Sequence, residues 1–166
     1  MGISGGETPV LTIADWCLLA AVLLFLLTIA PIKPLAGRAF DNRQPRSAAF
    51  YDTPLRQRAL GAHQNGIETY PFFATAVLLA EFHQAAQGWI DALAIAFVVS
   101  RLFYVAAYVG DRSTVRTALW NIGFGFNLGI FLLAGYGPAG AKIGIALGLA
   151  WAAMTAAILL VLDRRR

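Results

Sequence analysis

Charge is scarce in this chain. Asp, Glu, Lys and Arg make up 13% of its 166 residues, about half of the ~25% usual for a soluble domain. Hydrophobic residues reach 58%, and the mean hydropathy is +0.64. That balance places the chain in the membrane class, and its length predicts one membrane domain over residues 1–166. Cysteine is nearly absent. Cys17 stands alone, so the chain has no disulfide framework, and its place inside the first apolar run reads as a small packing residue. Histidine is equally rare. His63 and His83 offer no metal-ligand spacing, and there is neither a P-loop nor a dinucleotide fingerprint. These absences disfavour a soluble nucleotide or metal enzyme. The net charge of +4 is not a nucleic-acid signal, because the basic residues sit between apolar stretches. The N-terminus lacks a basic n-region and a convincing cleavage site, so the first apolar run is read as a retained span.

Five spans are predicted, at about 13–30, 56–83, 89–109, 115–134 and 143–162. The first stops at Pro31 and Pro34, with Asp15 near its interfacial start. A long polar loop follows, broken by Pro45 and Pro54. The second span is the weakest by hydropathy: its purely apolar part is short for a crossing, which takes about 20 residues. Pro71 removes the hydrogen bond to the carbonyl of Ile67 and predicts a kink beside Glu68. Gly135–Gly140 (GYGPAG) predicts a turn. After it, Gly140, Gly144, Gly148, Ala152 and Ala156 recur every four residues, a small-residue ladder that lets another helix approach closely. Gly125 and Gly129 form a second small pair on the span before.

The cations orient these spans. Arg residues crowd the loop after span one, the turn after span three and the tail 164–166, whereas the link Glu81–Asp91 has none and the next carries only Lys142. Five spans with the N-terminus outside put every Arg-rich segment in the cytoplasm.

Chemistry is concentrated in Arg58–Phe73, RALGAHQNGIETYPFF. At 100° per residue Arg58, Gly61, Asn65, Glu68 and Phe72 share one helix side. Arg101, Tyr104 and Tyr108 line one side of span three, and Arg116, Trp120, Gly123 and Asn127 share a face of span four. Spans two and three are antiparallel, so both polar clusters lie toward the cytoplasm. Carboxylates near hydrocarbon need partners, and Glu68 can pair with an Arg. The excess of guanidinium groups suits an anionic, peptide-like ligand with carboxylates, and Glu68 suits an ammonium group. The same residues also make sense as a structural Arg–Glu–Tyr network that locks the helices.

The run A-H-Q-N-G-I-E-T-Y-P-F (Ala62–Phe72) resembles the second-helix signature of the MAPEG superfamily, the membrane-associated proteins of eicosanoid and glutathione metabolism. That signature reads R-A-x-x-N-x-x-E followed by an aromatic and a proline. R-L-F-Y-V-A-A-Y (Arg101–Tyr108) is similar to its third-helix pattern R-x-x-Y-x-x-x-Y. W-C-L-L (Trp16–Leu19) and D-N-R-Q-P-R (Asp41–Arg46) resemble its small bacterial members. The likeness covers about residues 10–135. It implies an all-α integral membrane protein, a four-helix bundle to which the fifth C-terminal helix is an addition, assembled as a homotrimer in a bacterial inner membrane with glutathione between subunits. Carried over, Asn65, Glu68, Tyr104 and Tyr108 hold glutathione with Arg58 and Arg101, no metal takes part, and Arg116 stabilises the thiolate, as a nearby cation does.

Three positions depart from the pattern. Gly61 stands at the motif arginine, with Arg58 one turn earlier; Gln64 stands where some eicosanoid enzymes have a further arginine; Trp120 stands where they have a tyrosine. These argue against eicosanoid synthesis. The expected function is a glutathione-dependent transferase or peroxidase acting on lipophilic electrophiles. The alternative is a non-catalytic lipid-binding or structural protein of the same fold. A transporter is a distant third, for there is no duplicated half and no broken helix pair.

Overall fold

The computed structural model describes residues 10–163; the basic tail 164–166, used above for orientation, lies outside the described residues. Among these residues all regular structure is helical: α1 (Ile13–Ile29), a single turn α2 (Ile32–Leu35), α3 (Pro54–Phe82), α4 (Gln87–Val109) and α5 (Ser113–Asp163). Three helical segments are long and apolar enough to cross a membrane: Ile13–Leu35, Gln87–Val109 and Ser113–Leu162. Helix α3 is not among them, in keeping with its weak hydropathy. It has the length, 29 residues, or about 43 Å at 1.5 Å per residue, but too many polar side chains. It runs through Pro71 as one helix from Pro54 to Phe82.

The start of α1 is held by carboxylates from three elements. Thr12 and Asp15 form a capping box, with the Asp15 amide donating to Thr12 Oγ1 at 3.1 Å and the Thr12 amide to Asp15 Oδ2 at 2.9 Å. Thr12 Oγ1 also donates to Glu81 at 2.9 Å, and the Ala14 amide donates to Asp91 at 3.0 Å. A helix start presents orphan N–H groups and the positive end of its dipole, so acceptors gather there. The acidic residues flanking the Arg-free link thereby join the start of α1 to the end of α3 and the start of α4.

The core between these helices is built from small and aromatic side chains. Phe73 and Phe97 stack at 4.1 Å among Val77, Ile90, Leu93 and Ile130, all buried. Gly66 lies directly against Phe25 of α1. His63 extends this α1–α3 contact: its Nδ1 lies 2.7 Å from the Phe25 carbonyl. A carbonyl only accepts, so the proton sits on Nδ1, and His63 is a helix tie. The polar loop is ordered by its aromatics. Phe40, Phe50 and Tyr51 meet edge to face at 5.1 and 4.9 Å, and the Arg56 guanidinium lies 4.6 Å over Phe50 while donating to the Phe50 carbonyl at 3.0 Å.

Helix α5 would be about 77 Å long if straight, far beyond the ~30 Å of a bilayer core. It reverses at Gly137, whose φ of 58° and ψ of −153° are open chiefly to glycine, and Pro138 follows. The two limbs pack face to face. Gly125 meets Gly148, and Gly129 meets Gly144 and Ala141, so closely that a Cβ on Gly125 would stand 2.6 Å from the Gly148 Cα. The small-residue ladder of the second limb thus finds its partner in the GxxxG pair of the first. Asn121 on the first limb donates to Thr155 Oγ1 on the second at 3.0 Å.

Candidate functional site

Between α3, α4 and the first limb of α5 the polar residues form two connected clusters. The deeper one centres on Arg101, which is only 5% exposed. Its Nη2 donates to Asn65 Oδ1 at 2.7 Å, and its guanidinium lies 3.9 Å from the centre of the Tyr104 ring. The amide of Asn65 turns its N–H toward Glu68 Oε2, at a long 3.4 Å. Charge is therefore relayed from cation through amide to carboxylate, and Arg101 is not directly paired with Glu68. The spacing of Asn65 and Glu68, three residues apart on one turn, places both side chains where α4 can reach them.

The second cluster lies at the α4–α5 turn. The Arg116 guanidinium packs 4.6 Å from the centre of the Tyr108 ring, and Tyr108 meets Tyr104 edge to face at 5.7 Å. Tyr108, Arg116, Arg58, Arg112 and Asp111 line a cleft of about 260 Å³. Three guanidinium groups face one carboxylate there, so the cleft attracts anions.

Arg58 belongs to this second cluster and not to the Asn65–Glu68 pair. Its Nε donates to the Val109 carbonyl at 3.1 Å, and its Nη1 pairs with Asp111 at 3.3 Å. Arg58 is one turn into α3 and so lies beside the last turn of antiparallel α4, whose final carbonyls lack helix partners and carry the negative end of the dipole. Asp111 is presented by a left-handed turn, φ 59°, directly after Gly110. Arg58–Asp111 is the one ion pair among the described residues.

Gly61 has a steric reason. A Cβ at this position would lie 2.5 Å from the Tyr108 hydroxyl oxygen. The phenol lies across α3 where a motif arginine would begin, so glycine here and tyrosine at 108 are parts of one arrangement. Neither this nor the Asp111 partner of Arg58 is readable from spacing alone; the one sequence signal was Tyr108 falling on the same face as Arg101 and Tyr104.

Asn65, Glu68 and Arg101 also border a separate groove of about 210 Å³, walled by Phe72, Trp120 and Phe124. Phe72 lies 5.7 Å from Phe124, and Trp120 stacks on Phe124 at 5.6 Å. Trp151, from the second limb of α5, closes on the back of both rings at 6.1 and 5.8 Å. The arrangement sets an anion-attracting cleft, a polar relay and a largely apolar groove along the same three helical segments.

Comparison with known proteins gives one family match. The model of the MAPEG family matches residues 13–136, which takes in both clusters and ends one residue before the reversal at Gly137. No curated protein and no solved structure matches the chain.

Proposed function

The chain belongs to the MAPEG family, and from that premise we propose that it is a glutathione-dependent transferase or peroxidase acting on lipophilic electrophiles. The observation that carries the reading is the surplus of guanidinium groups around Tyr104 and Tyr108: Arg58, Arg112 and Arg116 against Asp111 in the cleft, with Arg101 buried below and linked to Glu68 only through Asn65. Glutathione carries two carboxylates, an ammonium group and a thiol, and this donor set fits it. Arg58 and Arg101 offer guanidinium donors for carboxylates beside their contacts to Val109, Asp111 and Asn65, and Glu68 an acceptor for the ammonium. The Tyr104 and Tyr108 phenols add donors. When bound, glutathione supplies a thiol that becomes a nucleophile on losing its proton. Arg116, held against the Tyr108 ring, is the cation that favours the thiolate. The groove of Phe72, Trp120 and Phe124 excludes water and receives the apolar partner.

The membrane arrangement belongs to the same proposal. One domain crosses the bacterial inner membrane five times, the two limbs of α5 being the fourth and fifth crossings, with the N-terminus outside and the C-terminus cytoplasmic. Glu68 lies fourteen residues from either end of α3 yet is exposed in the single chain. An exposed carboxylate at mid-helix is costly in a bilayer, which supports its being covered by a neighbouring copy in a homotrimer.

A second reading has its own observation. The relay Arg101–Asn65–Glu68 already satisfies itself, as a helix lock in a non-catalytic lipid-binding protein would. Calorimetry of glutathione binding to the detergent-purified protein separates the two, with Arg116→Ala and Glu68→Gln beside the wild type. Saturable binding that is weakened in both variants is the expected result. No binding to folded, oligomeric wild type refutes the glutathione reading and leaves the second.

A further inference from the structure

The apolar groove ends on a polar residue that has nothing to bond. Asn127 lies on the first limb of α5, seven residues beyond Trp120 and so about 10 Å farther along the axis. It lines the groove together with Phe72 and Phe124. The residue is 2% exposed, and among the described residues its Oδ1 is the one buried side-chain polar atom without a hydrogen-bond partner. Buried amides are almost always bonded, and an orphan calls for an explanation. The neighbouring Asn121 shows the contrast: equally buried on the same limb, it is supplied with Thr155 as a partner at 3.0 Å. The groove's other polar residues, Asn65, Glu68, Thr69 and Arg101, come from α3 and α4, and its aromatic lining is Phe72, Phe97, Trp120 and Phe124, with Phe131 6.0 Å from Phe72.

We propose that this groove binds a lipophilic molecule bearing a hydroxyl group, and that Asn127 takes the hydrogen bond from it. The inference names the chemical class of the apolar partner and so rests on the two-partner reading above. The apolar body lies between Phe72, Trp120 and Phe124, and a volume of about 210 Å³ suits a body of one ring or a short chain. The hydroxyl reaches the Asn127 amide, and the other end of the groove opens on Asn65, Glu68 and Arg101. A pure hydrocarbon would leave the amide unsatisfied, so the groove discriminates against it.

The test uses the detergent-purified full chain without glutathione. Tryptophan fluorescence, to which Trp120 in the groove contributes, is titrated with 2-phenylpropan-2-ol and with isopropylbenzene, the same skeleton without the hydroxyl. Each concentration is corrected for partition into the micelle. Wild type is expected to bind the alcohol about five- to tenfold more tightly, the worth of one neutral hydrogen bond. Asn127→Leu is expected to remove that preference while retaining the hydrocarbon, and to bind glutathione as wild type does. Equal binding of the two probes by wild type overturns the proposal without recourse to any variant. A preference that survives in folded Asn127→Leu also overturns it. If wild type prefers the alcohol but binds no glutathione, the groove assignment stands and the transferase reading alone fails.

Discussion

The contact between the limbs of α5 makes a sharp prediction, because one substitution made at two glycines should act in opposite directions. At Gly148 a Cβ would meet the Gly125 Cα, would stand 2.9 Å from the Gly125 nitrogen and would stand 3.0 Å from the Asn121 carbonyl. All three are backbone atoms and cannot turn aside. Ordinary contact begins near 3.4 Å, so the limbs must part by about half an ångström or more. Overpacking of this kind costs about 1–3 kcal/mol. For a chain of this size that is a fall in Tm of roughly 3–10 °C. At Gly135 an added Cβ meets nothing within 4 Å. Replacing glycine by alanine in a helix gains up to about 1 kcal/mol, a rise of about 1–3 °C. Thermal unfolding of Gly148→Ala and Gly135→Ala in one detergent reads both. Gly148→Leu should be worse than Gly148→Ala. An unchanged Tm in Gly148→Ala, or equal shifts at the two positions, would mean that the limbs do not meet at Gly125 and Gly148.

Three further outcomes follow from the geometry. Thr155→Val should cost about 1 kcal/mol by leaving the buried Asn121 amide without its partner; in a double-mutant cycle with Asn121→Leu the costs should be less than additive, and strict additivity would deny the bond. Gly61→Arg brings back the family's motif residue, yet it should weaken glutathione binding by displacing Tyr108 and with it the ring under Arg116; tighter binding by calorimetry would show that the phenol has room to move. Asp111→Ala removes an ion pair whose carboxylate is 75% exposed, so denaturant titration should register less than about 1 kcal/mol, and a larger loss would assign the pair a structural role it lacks here.

The long apolar helices were legible because hydropathy is a local property. Ala-, Leu- and Val-rich runs announce α1, α4 and both limbs of α5, and Gly137-Pro138 marks the reversal. Each half of the small-residue contact was visible, Gly125/Gly129 and Gly144/Gly148, but not that they pair, since antiparallel register is set by where the chain turns. The polar loop read only as a connection broken by prolines, because the packing of Phe40, Phe50 and Arg56 is not periodic. At the candidate site the side sharing of Asn65 with Glu68, and of Arg101 with Tyr104 and Tyr108, followed from 3.6-residue geometry. The bond from Arg101 to Asn65 spans 36 positions and had no local sign. Helical phase places Arg58 on the side of Glu68, whereas its contacts, the orphan carbonyl of Val109 and the left-handed Asp111, exist only once α4 has ended beside it. Asn127 was on a recognised face, but lacking a partner is a property of the surroundings and not of spacing.

The single-residue reversal at Gly137 has a kinetic consequence. Two limbs joined so tightly meet with almost no loop to close, so their contact is local and cheap in chain entropy. Helix α3 is the opposite case: its polar side is satisfied only by α4 and by α1, from which it is separated by the whole 30–53 loop. The expected order of assembly has the α5 hairpin forming first and α3 settling last, when Arg101 and Phe25 are in place to receive Asn65 and His63. Glycosylation-mapping of truncated chains would register this as an α3 that inserts poorly until α4 follows it, while the residues after Gly137 insert with the limb before them; efficient insertion of α3 on its own would remove the ordering.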